Sequence, residues 1–158
     1  MKEIALTQGK VALVDDEDFE RVSQFKWCAS WHSRQRVYTA VRRNCGTNVL
    51  MHRFILQPPS MMHIDHINHD TLDNRRANLR VCTNAENHRN QRKTPGTSSQ
   101  YKGVSWDRRK QKWRAQIRKD YKQQWLGYFA DEDEAARAYN VAAQEHFGRF
   151  ALLNEELT

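Results

Sequence analysis

The stretch HIDHINHDTLDNRRANLR, residues 63–80, holds three histidines, three aspartates and three asparagines with little apolar filler. A segment that only had to pack would not be composed this way. The residue types fit a metal cage, a catalytic site, or a polar loop rich in turn formers. His63-Ile64-Asp65-His66-Ile67-Asn68 sets two isoleucines among polar side chains, which predicts a strand with Ile64 and Ile67 available for burial. A long polar turn follows and ends at Asn78-Leu79-Arg80. Thr83 and Glu86 then stand at the spacing of a capping box, predicting a helix that starts at Thr83, offers Asn87 one turn in and fades near Lys93. Strand, loop and helix so ordered would converge on Asp65, His66 and Asn87.

Upstream, KVALV reads as a strand that ends at the acidic turn DDED. A short helix is predicted over residues 18–24, with Phe19, Val22 and Phe25 on one face. Residues 37–41 and 47–51 read as two strands around Asn44-Cys45-Gly46, and LMHRFIL begins a helix that stops before Pro58-Pro59. Trp27 and Trp31 are expected to pack. Downstream, residues 94–98 are turn- and linker-type sequence and the best candidate boundary. YKGVSW, KWRAQIRK and QWLGYF read as three short strands. A helix follows over DEDEAARAYNVAAQEHFG, with Asp131 as N-cap, Glu134 at the capping-box position and Gly148 past its end. Its alanine-rich face, with Ala135, Ala138 and Ala142, allows close approach to a sheet. The expected fold class is α+β: a small α+β scaffold leading into the polar stretch (1–93), a linker (94–98), and a three-stranded antiparallel sheet packed on one helix (99–158).

A length of 158 residues suits one or two small domains. Charged residues make up 28% of the chain and mean hydropathy is −0.94, and no apolar run approaches the length of a membrane span. The N-terminus MKEIALTQGK lacks the features of a secretory signal. Three scattered cysteines argue for a reducing compartment and against disulfides or a structural zinc site. The net charge of +7 is unevenly placed: residues 89–125 carry twelve Lys/Arg against Asp107 and Asp120, leaving the rest of the chain slightly acidic. That basic block is interleaved with Tyr101, Trp106, Trp113, Tyr121 and Trp125, the composition of a nucleic-acid surface. In KWRAQIRK, Arg114, Gln116 and Arg118 alternate with Trp113, Ala115 and Ile117, so one strand face is basic and the other apolar.

The pattern MHRFIL, HIDHIN, DNRRANLRVCTNAENH resembles the HNH endonucleases, whose active site is a ββα-metal finger, and within them the bacteriophage and intron-encoded homing branch. The match covers residues 52–90, with Asp-His, then Asn twelve residues on and Asn nine further. The resemblance implies that His66 is the general base, that Asp65 and Asn87 bind Mg²⁺ or Mn²⁺, and that His88 is the alternative to Asn87. It makes Asn78 the loop brace of the site and gives His52 a supporting place. His63, His69, Asp70 and Asp73 receive no role. Residues 99–154 resemble the Apetala/ethylene-response-factor DNA-binding domain, carried by YKGVSW, KWRAQI, WLGYF, EAARAYNVAA and FALLN. That likeness implies a sheet lying in a DNA major groove, contacted by Lys102, Arg114, Gln116, Arg118 and Trp125. Ser105 and Asp107 replace family arginines, with Arg108 and Arg109 available to compensate at phosphates. Together the two resemblances imply a metal-dependent DNA endonuclease of homing type, acting on double-stranded DNA in the cytoplasm of a bacterial host cell as monomer or homodimer. The rival is a non-catalytic DNA-binding regulator with a degenerate HNH fold.

Overall fold

The computed structural model describes residues 1–33, 35–44, 46–93, 96–120 and 122–154. The chain divides into two units, Met1–Asn87 and His88–Thr158. In the first, β1 (Lys2–Ala5) pairs antiparallel with β2 (Val11–Val14), and α1 (Asp16–Ser23) follows. The helix starts earlier than the apolar periodicity indicates, because Asp16, Glu17 and Asp18 sit favourably at the positive end of its dipole. Phe25 lies beyond the helix and meets Phe54 edge-on. β3 (Cys28–His32), β4 (Val37–Asn44) and β5 (Thr47–Leu50) form an antiparallel sheet in that order. Cys45, in the expected turn between β4 and β5, lies outside the described residues. α2 (Met51–Leu56) stops at Gln57, which takes a left-handed conformation (φ 46°) just ahead of Pro58-Pro59.

The polar stretch supplies β6 (His63–His66) and β7 (Leu79–Cys82), an antiparallel hairpin, and α3 (Asn84–Arg89) follows. Because β6 ends at His66, Ile67 falls on the loop and is 44% exposed; only Ile64 reaches the core. One core serves scaffold and hairpin alike, with Val14, Val22, Trp27, Met51 and Ile55 gathered with Ile64 and Leu79. Trp27 also donates its indole N–H to the Val22 carbonyl at 2.9 Å. Trp31 instead lies 49% exposed against the Tyr38 ring.

The division between units falls inside α3. That helix ends at Arg89 rather than near Lys93 because the following residues are tied into the second unit. Asn90 is buried, and the Lys93 ammonium donates to the carbonyls of Tyr101 and Val104. Thr94 and Pro95, in the expected linker, lie outside the described residues, as does Tyr121. β8 (Val104–Asp107), β9 (Lys112–Lys119) and β10 (Lys122–Phe129) form an antiparallel sheet with β9 central. α4 (Glu132–Phe147) packs on it. The Asp131 carboxylate caps the helix by accepting from the N–H groups of Asp133 (2.8 Å) and Glu134 (3.0 Å). Ala135, Ala136, Ala143 and the facing Ala115 are wholly buried, so the helix lies close to the sheet at these methyls, with Tyr139 and Phe147 packing beside Ile117 further along. Among the described residues no helix is long and apolar enough to cross a membrane.

Candidate active site and DNA-binding face

The β6–β7 register sets Asp65 opposite Arg80 and His66 opposite Leu79. Arg80 closes on Asp65, its Nε and Nη2 donating to Oδ2 at 2.8 and 2.6 Å. His66 is 7% exposed at the end of β6, and His52 approaches it edge-on from α2, ring centroids 5.1 Å apart. Burial pushes the His66 imidazole below its usual value, while Asn74 and the nearby aspartates Asp65, Asp70 and Asp73 pull the other way. His52 is pushed down to about 3, by burial first and then by His66 and Arg53. Both rings are therefore held neutral.

A stability consequence follows for His52. Unfolded chains protonate this histidine near pH 6.5, whereas the fold keeps it neutral until about pH 3. Between those values the unfolded state binds more protons, so stability falls as pH falls through that window. Thermal melts from pH 7 to 4 are expected to show a declining Tm, and His52→Phe should flatten the decline. Equal pH slopes for the two proteins would contradict it.

The loop between β6 and β7 is built as a bracket. Asn78 Oδ1 accepts from Asn68 N at 2.9 Å while its Nδ2 donates to the Asp73 carbonyl at 2.8 Å, joining the two ends of the loop. Asp73, 2% exposed, takes a fork from Arg75 Nε (2.7 Å) and Nη2 (2.6 Å) and a bond from Asn68 Nδ2 (3.0 Å). Arg75 holds this carboxyl below the usual range. The loop then docks on the scaffold: Leu13 N donates to Leu72 O, and Asn74 N to Leu13 O. Arg76 N donates to Asp15 Oδ2 at 2.7 Å, and its guanidinium forks onto Asp18, which also accepts from Arg21. Burial would raise the Asp18 pKa, yet Arg76 and Arg21 together keep it low. Most of the conspicuous polar residues thus hold the loop. Asp73, Arg75 and Arg76 are the residues that sequence reasoning passes over; the acidic turn DDED is the sign in the sequence of a partner for Arg76, whereas Arg75 pairs with Asp73 within the loop.

α3 begins with the expected capping box. Thr83 N donates to Glu86 Oε2 (2.7 Å), and Glu86 N returns a bond to Thr83 Oγ1 (3.2 Å). Asn87 follows, its N–H bonded to Thr83 O at 3.0 Å. His88, the alternative ligand, is exposed and turned about 100° around the helix from Asn87. Burial first, and then the carboxylates of Asp65 and Glu86, push the Cys82 thiol up to about 11, which keeps it protonated. Among the described residues no three His, Cys, Asp or Glu side chains group as a metal site. The donors on offer are the carboxylate oxygens of Asp65 and the amide oxygen of Asn87, with no thiolate. Such a set fits a hard divalent ion that keeps most of its water.

In the second unit, the open sheet face carries Ser105 and Asp107 on β8, Arg114, Gln116 and Arg118 on β9, and Trp125 and Tyr128 on β10. Ala115 and Ile117 point the other way into the helix contact. Trp125, paired with Gln116, is 61% exposed. Arg114 donates to Ser105 Oγ at 3.3 Å, and Tyr128 OH to Asp107 Oδ2 at 2.8 Å. Asp107 Oδ1 also accepts from the N–H groups of Arg109 and Lys110, so Asp107 shapes the turn on which Arg108 and Arg109 stand exposed. Lys102 does not join this face. Its ammonium donates to the carbonyls of Arg89 and Gln91, and burial pulls its pKa down to about 8. The segment preceding the sheet returns beside Lys102 and takes up its charge. Lys102→Ala is accordingly expected to lower the Tm yet leave the salt dependence of DNA binding unchanged, whereas Arg118→Ala should reduce the salt slope by about 1. Salt titrations of DNA affinity for both variants check this.

Two family models match the chain: HNH endonuclease over residues 58–89 and the AP2 domain over residues 99–149. The finger and the sheet unit therefore define a nuclease joined to a DNA-binding domain. An uncharacterized HNH endonuclease of Acanthamoeba polyphaga mimivirus is 30% identical over 154 residues, spanning 94% of this chain and 76% of that protein. The chain belongs to the HNH endonuclease family. Its C-terminal part is similar to plant proteins over a small share of their length. An AP2/ERF and B3 domain-containing protein of Oryza sativa subsp. japonica is 49% identical over 57 residues (36% of this chain, 15% of that protein). An AP2/ERF and B3 domain-containing transcription factor of Arabidopsis thaliana is 48% identical over 63 residues (40% and 17%). No solved structure matches.

Proposed function

We propose that the protein is a homing-type DNA endonuclease that hydrolyses one phosphodiester per finger, in the host cell, with one divalent ion and His66 as base. The observation that carries this reading is His66 itself: buried, kept neutral by its surroundings, next in sequence to Asp65 and beside a loop locked by Asn78. A neutral imidazole takes the proton of the attacking water. His52, uncharged against its edge, keeps a competing positive charge away from that ring. Asp65 and Asn87 would hold Mg²⁺ or Mn²⁺, which supplies charge stabilisation at the scissile phosphate and the departing 3′ oxygen. Water attack with loss of the 3′ oxygen leaves 5′-phosphate and 3′-hydroxyl ends. Arg114, Gln116, Arg118 and Trp125 position the sheet unit on the duplex, Arg and Gln being the side chains that read purine edges in a major groove. A monomer would nick, and a homodimer would cut both strands. Incubating the protein with plasmid carrying the locus around its own gene should give nicked or linear DNA in Mg²⁺ and none in EDTA. No cutting in either leaves the regulator as the better reading.

A further inference from the structure

We infer that Arg80 couples metal uptake to DNA: it holds Asp65 in the DNA-free enzyme and releases it when a backbone phosphate takes up the guanidinium. This rests on the reading of Asp65 as a metal ligand. Arg80 donates twice to one carboxylate oxygen, at 2.8 and 2.6 Å, with the two side chains only 13% and 8% exposed. The Asp73–Arg75 and Asp18–Arg76 pairs of the polar stretch fasten the loop. The Arg80–Asp65 pair instead crosses a hairpin that is already zipped from His63–Cys82 to His66–Leu79 and seated on the core through Ile64 and Leu79. There it puts a permanent positive charge on a side chain assigned to a divalent cation. Cation and guanidinium compete for the same carboxylate and repel each other. A phosphate resolves the competition, since a guanidinium forks onto phosphate as readily as onto carboxylate. Metal should therefore bind weakly to the free protein and more tightly with DNA, and by linkage strengthen DNA binding by the same factor. Arg80 is thus a positioning residue, acting through Asp65.

The test is Mn²⁺ titration of the full chain, followed by electron paramagnetic resonance, with and without a short duplex. A His66→Ala background slows cutting so that the duplex stays largely intact during the titration. With Arg80 in place, DNA is expected to tighten Mn²⁺ binding roughly 5- to 150-fold. In Arg80→Gln the DNA-free affinity should rise towards the DNA-bound one and the coupling should largely vanish. Arg80→Lys keeps a charge but not the fork, and should raise the DNA-free affinity in part; it decides the matter should Arg80→Gln fail to fold by circular dichroism. Unchanged or weaker DNA-free Mn²⁺ binding in a folded variant, with the coupling intact, overturns the inference. Absence of Mn²⁺ binding to the Arg80 protein even with DNA would instead remove the metal reading, and this inference with it.

Discussion

A His66→Ala chain is expected to fold, bind duplex DNA with near wild-type affinity and cut it about 10²–10⁴ times more slowly. The ring is buried at the end of β6, and the Asn78 bracket and the Arg76–Asp18 pair that docks the loop are made without it, so its removal leaves the finger's frame in place. The affinity should persist because Arg114, Gln116 and Arg118 lie on the separate sheet unit. Single-turnover cleavage beside gel-shift titration separates the two effects. Equal cutting by the variant would place the base elsewhere, and lost binding would mean the site also carries the affinity.

Gly103→Ala should be as damaging for a different reason. Gly103 sits at φ +77°, and a Cβ built there would lie 2.0 Å from Tyr139 Cδ2 and 2.8 Å from the Gln116 carbonyl oxygen. Tyr139 is 4% exposed and wedged among Ile117, Ala142, Ala143 and Phe147, so it has no room to retreat. Gln116 N is itself bonded to Gly103 O at 2.9 Å, so the backbone there cannot shift either. Overpacking of this kind costs about 1–3 kcal/mol, and a non-glycine residue held at such a φ adds about 1–3 kcal/mol. A small unit has little stability to lose. The sheet unit should melt far below wild type by circular dichroism, with DNA affinity reduced more than about tenfold, the equivalent of about 1.4 kcal/mol. Retained affinity in an unfolded sheet unit would move the DNA surface elsewhere.

Features that the chain announces locally are legible in its sequence. The Thr83–Glu86 and Asp131 caps and the alternation in KWRAQIRK each depend on residues a few positions apart, and each forms as expected. β1 and β3 escape such reasoning because each buries a single side chain, Ile4 or Ala29, which leaves no periodic trace. The Asp18–Arg76 and Asp15–Arg76 contacts span some sixty positions, and no local pattern reports a pairing of that range. A family pattern puts Lys102 on the DNA face, whereas the chain before the sheet folds back and occupies its ammonium. Asp65, His66, Asn78 and Asn87 stand out through spacing. Arg80 does not, since an arginine after Asn-Leu becomes notable only once the β6–β7 register sets it against Asp65.

The most direct measurement of the central claim is made on the nicks themselves. Plasmid nicked by the wild-type protein in Mg²⁺ is purified and treated with DNA ligase, with no phosphatase or kinase step. Hydrolysis with loss of the 3′ oxygen predicts ends that ligase reseals to closed circles. Nicks that resist ligase, or no nicks on any DNA offered, would contradict it.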